Sequence, residues 1–68
     1  MPLGLYGYKN VRERTVLARH RALRRALRAG ESQLALFRRL NQLMVFFKNK
    51  DPGLSKIFRD DRDWVRSL

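Results

Sequence analysis

The residues of this chain best suited to chemistry are arginines. A guanidinium group presents a planar fork of N–H donors that grips a phosphate with two parallel hydrogen bonds. If the segment around them is a helix that turns about 100° per residue, five arginines come round to one side. These five are Arg14, Arg21, Arg24, Arg25 and Arg28. No acidic residue falls among them, although solvated faces usually mix both signs. The pattern predicts a phosphate-binding surface, with an ordinary solvated helix face as the alternative.

Further cations are expected to assist this surface, and nothing in the sequence specifies the reading of bases. The assisting residues are Arg38, Arg39, Lys48 and Lys50. Polar side chains of the kind that reach base edges are also present, at Asn41, Gln42 and Asn49. Such side chains are more often helix-surface or capping residues. We therefore expect binding that does not depend on base sequence. DNA is the expected partner ahead of RNA, although these residues do not decide between the two.

Other kinds of chemistry find little support. The chain has no Cys, which excludes a disulfide framework, a Cys-based zinc site and a thiol nucleophile. His20 is the only histidine, so we expect it to pack or to contact phosphate rather than to bind a metal. Asp60, Asp61 and Asp63 are interpreted as helix caps and as partners of adjacent arginines. The sequence therefore predicts neither an enzyme nor a bound cofactor or metal.

Composition and charge point to a small folded module with a polyanionic partner. The chain has 68 residues and a formal net charge of +10. Its 44% hydrophobic residues are too many for a disordered tail. Residues 9–39 contain ten basic and two acidic residues, so the excess lies in the first half. Nucleic acid is the first partner that such a balance indicates, followed by an anionic membrane or an acidic protein.

The chain opens with a predicted arm. Residues 1–9 are apolar and aromatic but contain Gly4 and Gly7, which disfavour a helix, so we expect an extended segment. Its large side chains would be costly to leave in water, and we expect them to dock on the helices or on a partner. A frayed terminus is the alternative. Residues 10–68 are predicted to form the single helical domain.

The first helix is predicted to begin at Asn10 and to stop at Gly30. Asn is a good N-cap, and Glu13 stands where a capping box has its acid. Gly suits the position after a helix end. The predicted apolar stripe consists of Val16, His20, Leu23, Ala26 and Leu27. Arg12 and Arg19 fall on the apolar side, where each must reach outwards or meet a carboxylate.

A central apolar helix and a C-terminal helical region follow. Ser32 is the predicted N-cap of a helix from Gln33 to about Asn49, and Asp51-Pro52 is predicted to start a short helix. Asp60 or Asp61 would then cap a last turn or two. The predicted core consists of Leu23, Leu27, Leu36, Phe37, Leu40, Leu43, Met44, Phe47, Ile57, Phe58 and Trp64. The fold class is therefore all-α, with a long basic helix and one or two short C-terminal helices.

The sequence also resembles a known family. The segments that carry the likeness include Leu5-Tyr6-Gly7-Tyr8, Phe37-Arg38-Arg39-Leu40-Asn41, Lys48-Asn49-Lys50-Asp51-Pro52 and Asp61-Arg62-Asp63-Trp64-Val65. Together they resemble small basic proteins of undefined function encoded by giant eukaryotic DNA viruses (nucleocytoplasmic large DNA viruses). The likeness spans nearly the whole chain. The chain departs from the family in preferring Arg to Lys and in having Asp51 where Asn is frequent.

The resemblance implies a viral setting. It implies a protein of the virion, present in the host nucleus or viral factory during infection, that condenses or organises the genome. The alternative is a small capsid-associated protein whose arginines meet acidic neighbours, with capsid proteins or a second copy of the chain as partners. A helix–turn–helix module, a mitochondrial presequence and a membrane-surface helix are weaker alternatives, and we expect no membrane partner.

Overall fold

Three α-helices and two short 3-10 turns form the computed structural model, which describes residues 3–68. The turns are Leu3–Tyr6 and Val11–Glu13, and the helices are α1 (Val16–Arg28), α2 (Gln33–Phe47) and α3 (Pro52–Arg66). No strand occurs within residues 3–68. The all-α class predicted from the sequence is confirmed.

Side-chain caps begin α2 and α3 where the sequence predicts them. The Ser32 hydroxyl accepts a hydrogen bond from the Ala35 N–H at 3.0 Å. The Asp51 carboxylate accepts one from the Leu54 N–H at 3.2 Å, and Pro52 occupies the first helical position. Each cap satisfies a backbone donor that the first helical turn leaves without a partner. Both predicted N-caps are confirmed.

The start of α1 differs from the prediction. Asn10 has a left-handed backbone (φ 51°) and its side chain makes no capping bond. The helix begins at Val16, after Thr15, whose hydroxyl accepts from the Ala18 N–H at 3.1 Å. The reason lies in Val11, which is buried against the core. In a helix continuous from Asn10, Val11 would point about 120° away from the buried Leu23. The break in the backbone before α1 lets Val11 pack against the core.

The end of α1 follows its local signal. Gly30 has φ 106°, a conformation that favours glycine. Its N–H donates to the Leu27 carbonyl and the Glu31 N–H donates to the Ala26 carbonyl, both at 3.1 Å. These are the paired bonds of a glycine-terminated helix. The predicted stop at Gly30 is confirmed.

The C-terminal region is one continuous helix. The sequence predicted a short helix followed by a capped last turn, but α3 runs unbroken for 15 residues. Asp61 lies within it, fully buried, and so does not act as a cap. Its carboxylate is used instead by side chains from other parts of the chain. α3 packs along α2 and also contacts α1 and the second 3-10 turn, so α3 rather than α2 is the central element.

Most of the predicted core is confirmed, with one correction in the core and one in the apolar stripe of α1. The residues that are fully or partly buried in it are Leu23, Leu27, Leu36, Leu40, Leu43, Met44, Phe47, Ile57, Phe58 and Trp64. Phe37 is half-buried but lies apart from this cluster, in a surface cleft with Leu34 and Arg66. Val16, predicted on the apolar stripe of α1, is 55% exposed. We call residues 3–13, which precede α1 and contain both 3-10 turns, the N-terminal segment. The sequence missed buried residues of this segment, of α1 and of α3, namely Leu3, Tyr8, Val11, Ala22 and Val65.

The N-terminal segment docks on the helices, as expected, but is not extended over its whole length. Residues 3–6 form a 3-10 turn, and Leu3 and Tyr8 are buried. The Tyr6 hydroxyl donates to Glu31 at 3.2 Å, and burial together with this acceptor raises the pKa of Tyr6. The part of the predicted arm at residues 1–2 lies outside the described residues. Along residues 3–68, no helix combines the length and the apolar character needed to cross a membrane.

Candidate nucleic-acid interface

Four arginines of α1 lie together on its outer side. Arg21, Arg24, Arg25 and Arg28 follow the i, i+3, i+4, i+7 spacing that places side chains on one face of a helix. They alone line a shallow surface depression of about 290 Å³. We call these four residues the arginine face. The shared position on one helix face is therefore confirmed for four of the five predicted members, and their binding of phosphate stays a prediction.

Arg14, the fifth member, is not part of this face. It precedes α1 in an extended conformation (φ −105°, ψ 146°), because the helix starts two residues later. Its Nε donates to the Lys9 carbonyl at 2.9 Å, which holds the side chain against the N-terminal segment. The prediction placed it on the face by assuming a helix from Asn10.

The arginine face carries no compensating acid. Among residues 3–68, none of its four side chains forms an ion pair with a carboxylate. The aspartates are engaged elsewhere, in the pairs Arg12–Asp51, Arg19–Asp61, Arg59–Asp60 and Arg62–Asp63. Four adjacent positive charges therefore face solvent, and each is fixed on a regular helix.

Two members of the face are positioned by other parts of the fold. The Arg25 Nη1 donates to the Tyr6 carbonyl at 3.4 Å. It also lies where a side chain on Gly7 would sit, since a Cβ there would be 3.1 Å away. The guanidinium carbon of Arg24 lies 5.2 Å from the centre of the Trp64 ring, within cation–π range. The N-terminal segment and α3 thus support the face from two sides.

The assisting cations lie elsewhere. Arg39 lines a separate cleft beside the N-terminal segment, and the Lys50 ammonium lies 4.0 Å from the centre of the Phe46 ring. Arg38 and Lys48 are exposed on α2 and just after it. None of the four lines the depression on α1. They add to the overall positive charge but do not extend the arginine face.

The polar side chains considered for base contacts are also engaged or remote. The Asn41 carbonyl oxygen accepts from Arg62 at 2.9 Å, and that of Gln42 accepts from Arg39 at 3.1 Å. Asn49 is exposed in the turn after α2. None of these three amides lines the arginine face.

A buried ionic cluster lies on the opposite side of α1. Asp61 is fully buried, and its Oδ2 accepts from the Tyr8 hydroxyl at 2.7 Å and from the Arg19 Nε at 2.8 Å. Arg19 is itself buried and also donates to the Arg14 carbonyl at 3.2 Å. The expectation that Arg19 meets a carboxylate is thus confirmed. The expectation that Asp61 caps a helix or pairs with an adjacent arginine is wrong, because its partner is 42 residues away.

Burial and charge shift the protonation of this cluster. Burial, reinforced by the Asp61 carboxylate, raises the pKa of Tyr8 far above its usual value of 10.0, so its hydroxyl is a proton donor. The His20 ring stacks on Trp64 with centroids 3.8 Å apart, which confirms its packing role. Burial lowers the pKa of His20 below 6.5. Asp61 opposes that shift, while Arg19 and Arg24 add to it.

The remaining acids make local or surface pairs. Arg12 donates to Asp51, which also caps α3, and this bond holds the pKa of the Asp51 carboxyl below 3.8. Arg62 contacts Asp63 at 2.9 Å, as the sequence predicts for adjacent residues. Within the part of the chain that the structure describes, no three His, Asp or Glu side chains are placed to hold a metal ion.

Comparison with known proteins places the chain in a family. Residues 2–68 match the model described as "Family of unknown function (DUF5771)". The chain belongs to DUF5771. No curated protein and no solved structure matches it significantly. Since this DUF5771 match covers nearly every residue, the arginine face, the N-terminal segment and the buried cluster all lie within the family domain.

Sequence reasoning missed the Asp61 cluster of this DUF5771 domain, although one signal pointed towards it. Arg19 stands on the apolar side of α1, where an unpaired charge would be costly. That position requires a carboxylate but does not identify it. Asp60, Asp61 and Asp63 look alike in sequence, and only the packing of α3 selects Asp61.

Proposed function

We propose that this protein binds nucleic acid, DNA ahead of RNA, without sequence specificity and through the arginine face. The observation that supports this is that Arg21, Arg24, Arg25 and Arg28 line one depression and that none of them has a carboxylate partner within residues 3–68. Guanidinium groups on adjacent helical turns repel one another. A row of phosphates covering them replaces that repulsion with charge-assisted hydrogen bonds.

The dimensions suit a phosphate backbone. From Arg21 to Arg28 the helix rises about 10 Å. Duplex DNA carries one charge per roughly 1.7 Å of its axis when both strands are counted, so this length of axis holds on the order of six phosphates, about three on each strand. Four arginines can each contact a different phosphate on such a surface. The proposed role is architectural, in which many copies neutralise and organise the nucleic acid.

The experiment is a mobility-shift series with a 20-base-pair duplex of arbitrary sequence at several salt concentrations. With four phosphate contacts, the logarithm of the binding constant falls with the logarithm of salt with a slope of roughly −3 to −4. A second duplex of unrelated sequence should bind equally well. Absence of binding at low salt, or binding that ignores salt, contradicts the proposal.

A matched pair of double variants separates the face from the total charge. R21E/R28E reverses two exposed arginines of the face, whereas K56E/R66E makes the same charge change on exposed positions of α3. The first variant should bind at least tenfold more weakly than the second at equal salt. Equal loss in both variants would mean that binding reflects net charge alone.

A second candidate function is a structural protein of a particle that acts through protein contacts. It is supported by apolar residues of α2 that are more than half exposed, namely Leu34, Val45 and Phe46. Single exposed apolar residues are ordinary, but such flanks also mark interfaces. This role predicts a defined oligomer or heterocomplex that survives nuclease and is lost in V45S/F46S. Light scattering after nuclease treatment measures it.

The viral setting is part of the proposal and rests on the resemblance carried by residues such as Lys48-Asn49-Lys50-Asp51-Pro52. It places the protein in the virion, with the host nucleus or viral factory as its site during infection. Quantitative mass spectrometry of purified particles tests it. A genome-organising protein should be abundant there and should cross-link to nucleic acid rather than only to capsid proteins.

A further inference from the structure

His20 links the buried cluster to the arginine face. It lies on α1 one turn before Arg24, and its ring stacks on Trp64 with an interplanar angle of 9°. Arg24 approaches the same indole ring from α1. On the inner side, the His20 Nε2 is 3.7 Å from the Asp61 Oδ1. One imidazole therefore neighbours both a buried carboxylate, Asp61, and a member of the arginine face, Arg24.

The carboxylate on the inner side lacks one donor. Both hydrogen bonds to Asp61, from Tyr8 and Arg19, reach Oδ2. The buried Oδ1 accepts none within residues 3–68. A buried acceptor without a partner is costly. The His20 Nε2 lies just beyond hydrogen-bond distance, so a small shift of a protonated ring would satisfy Oδ1.

Charges from each packed element decide whether His20 takes that proton. From α3, Asp61 attracts it and Trp64 offers an uncharged face. From α1, Arg19 and Arg24 repel it, and the N-terminal segment contributes the neutral Tyr8 hydroxyl. Burial is the largest effect; it lowers the pKa of His20 and so favours the neutral ring in the free protein. Among the opposing charges, Arg24 is the one that a bound phosphate would neutralise.

We propose that His20 takes up a proton from solvent when phosphates cover the arginine face, and that the imidazolium completes the Asp61 cluster. This inference rests on the proposed function and adds its regulation: nucleic acid binds more tightly in mild acid. By linkage, a ligand that favours the protonated form must itself be favoured by protonation. The added affinity is complete below the free-state pKa and is lost as the pH rises through the bound-state pKa. If binding raises the pKa by one unit, affinity changes about tenfold across that window.

The decisive measurement is the titration of the His20 imidazole by NMR, with and without a 20-base-pair duplex, between pH 5 and 8. The signal is unambiguous because the chain has one histidine. Backbone phosphodiesters do not titrate in this range. We expect the His20 pKa to rise when the duplex is bound. This measurement uses the wild-type chain and so does not depend on a variant that folds.

A variant provides the matched control. H20Q keeps a polar side chain but cannot titrate. At a fixed salt concentration, its affinity for the duplex should therefore be the same at pH 5.5 and at pH 7.5. Wild-type affinity should rise up to about tenfold as the pH falls from 7.5 to 5.5. Duplex binding with an unchanged His20 titration overturns this inference and leaves the proposed function standing. Failure to bind the duplex at low salt overturns both.

Discussion

Two sides of α1 use the same residue type in opposite ways. Arg19 points inward, is buried, and shares Asp61 with Tyr8. Arg21, two residues further on, points outward and shares a surface depression with three other arginines. The difference lies in the rotation of the helix and not in the residue. An arginine run in a sequence therefore mixes structural and functional members, and the face on which each lies separates them.

The energetic consequences of the two sides differ as well. A buried charge depends on its partner, because removal of one member leaves the other without compensation. An exposed arginine without a partner contributes little to folding. The inner side should therefore control stability and the outer side should control binding. The following predictions test that division.

The largest effect is expected on the stability of R19M, with R21M as its matched control. R19M removes the guanidinium that compensates the charge of the buried Asp61, and it should lower the free energy of unfolding by about 3–5 kcal/mol. R21M alters an exposed position and should stay within about 0.5 kcal/mol of the wild type. Urea unfolding followed by circular dichroism measures both. Similar stability of the two variants would remove the distinction between the two sides.

A smaller effect is expected in the N-terminal segment, which supports the outer side. Gly7 has φ 88°, and a Cβ there would press on the Arg25 guanidinium. G7A should lower the free energy of unfolding by about 1–2 kcal/mol. It should also weaken duplex binding, because it displaces Arg25. G4A is the control, since a Cβ at Gly4 meets nothing within 4 Å. Thermal unfolding and the mobility-shift series measure the two effects. If G7A unfolds and binds the duplex as the wild type does, the N-terminal segment does not position the arginine face.

The smallest effect concerns the pH dependence of stability. His20 has a folded-state pKa below 6.5, so the unfolded chain binds a proton more readily. The contribution of His20 to stability is therefore present above pH 6.5 and is lost as the pH falls through the folded-state value. H20Q should flatten the stability profile between pH 5 and 7 relative to the wild type. A profile that is unchanged in H20Q would assign the acid sensitivity to carboxylates.

Local signals in the sequence predicted the ends of most elements. Ser32, Asp51-Pro52 and Gly30 act through their own backbone neighbourhood, within three or four residues, and each prediction was confirmed. The prediction that Asn10 caps the first helix was wrong, although Asn is a good capping residue. There the burial of Val11 against distant elements outweighed the local preference, and Thr15 provides the cap instead.

The candidate site shows the same limit. The spacing of Arg21, Arg24, Arg25 and Arg28 was sufficient to predict a shared face, because helical periodicity is local. The Asp61 cluster was not predictable, since Tyr8 and Arg19 lie 53 and 42 residues from Asp61. Whether an aspartate in a charged stretch turns inward depends on how α3 packs, and no short pattern records that.

The hydrogen bond between Tyr8 and Asp61 also constrains the timing of folding. It joins residues 53 positions apart, and Asp61 accepts from Arg19 of α1 at the same oxygen. During synthesis Asp61 emerges after Tyr8 and α1, so these earlier elements cannot complete the buried cluster until then. Contacts of such long sequence separation form late and slowly. A nascent chain of this protein therefore cannot bury Tyr8 and Arg19 against Asp61 until α3 has left the ribosome.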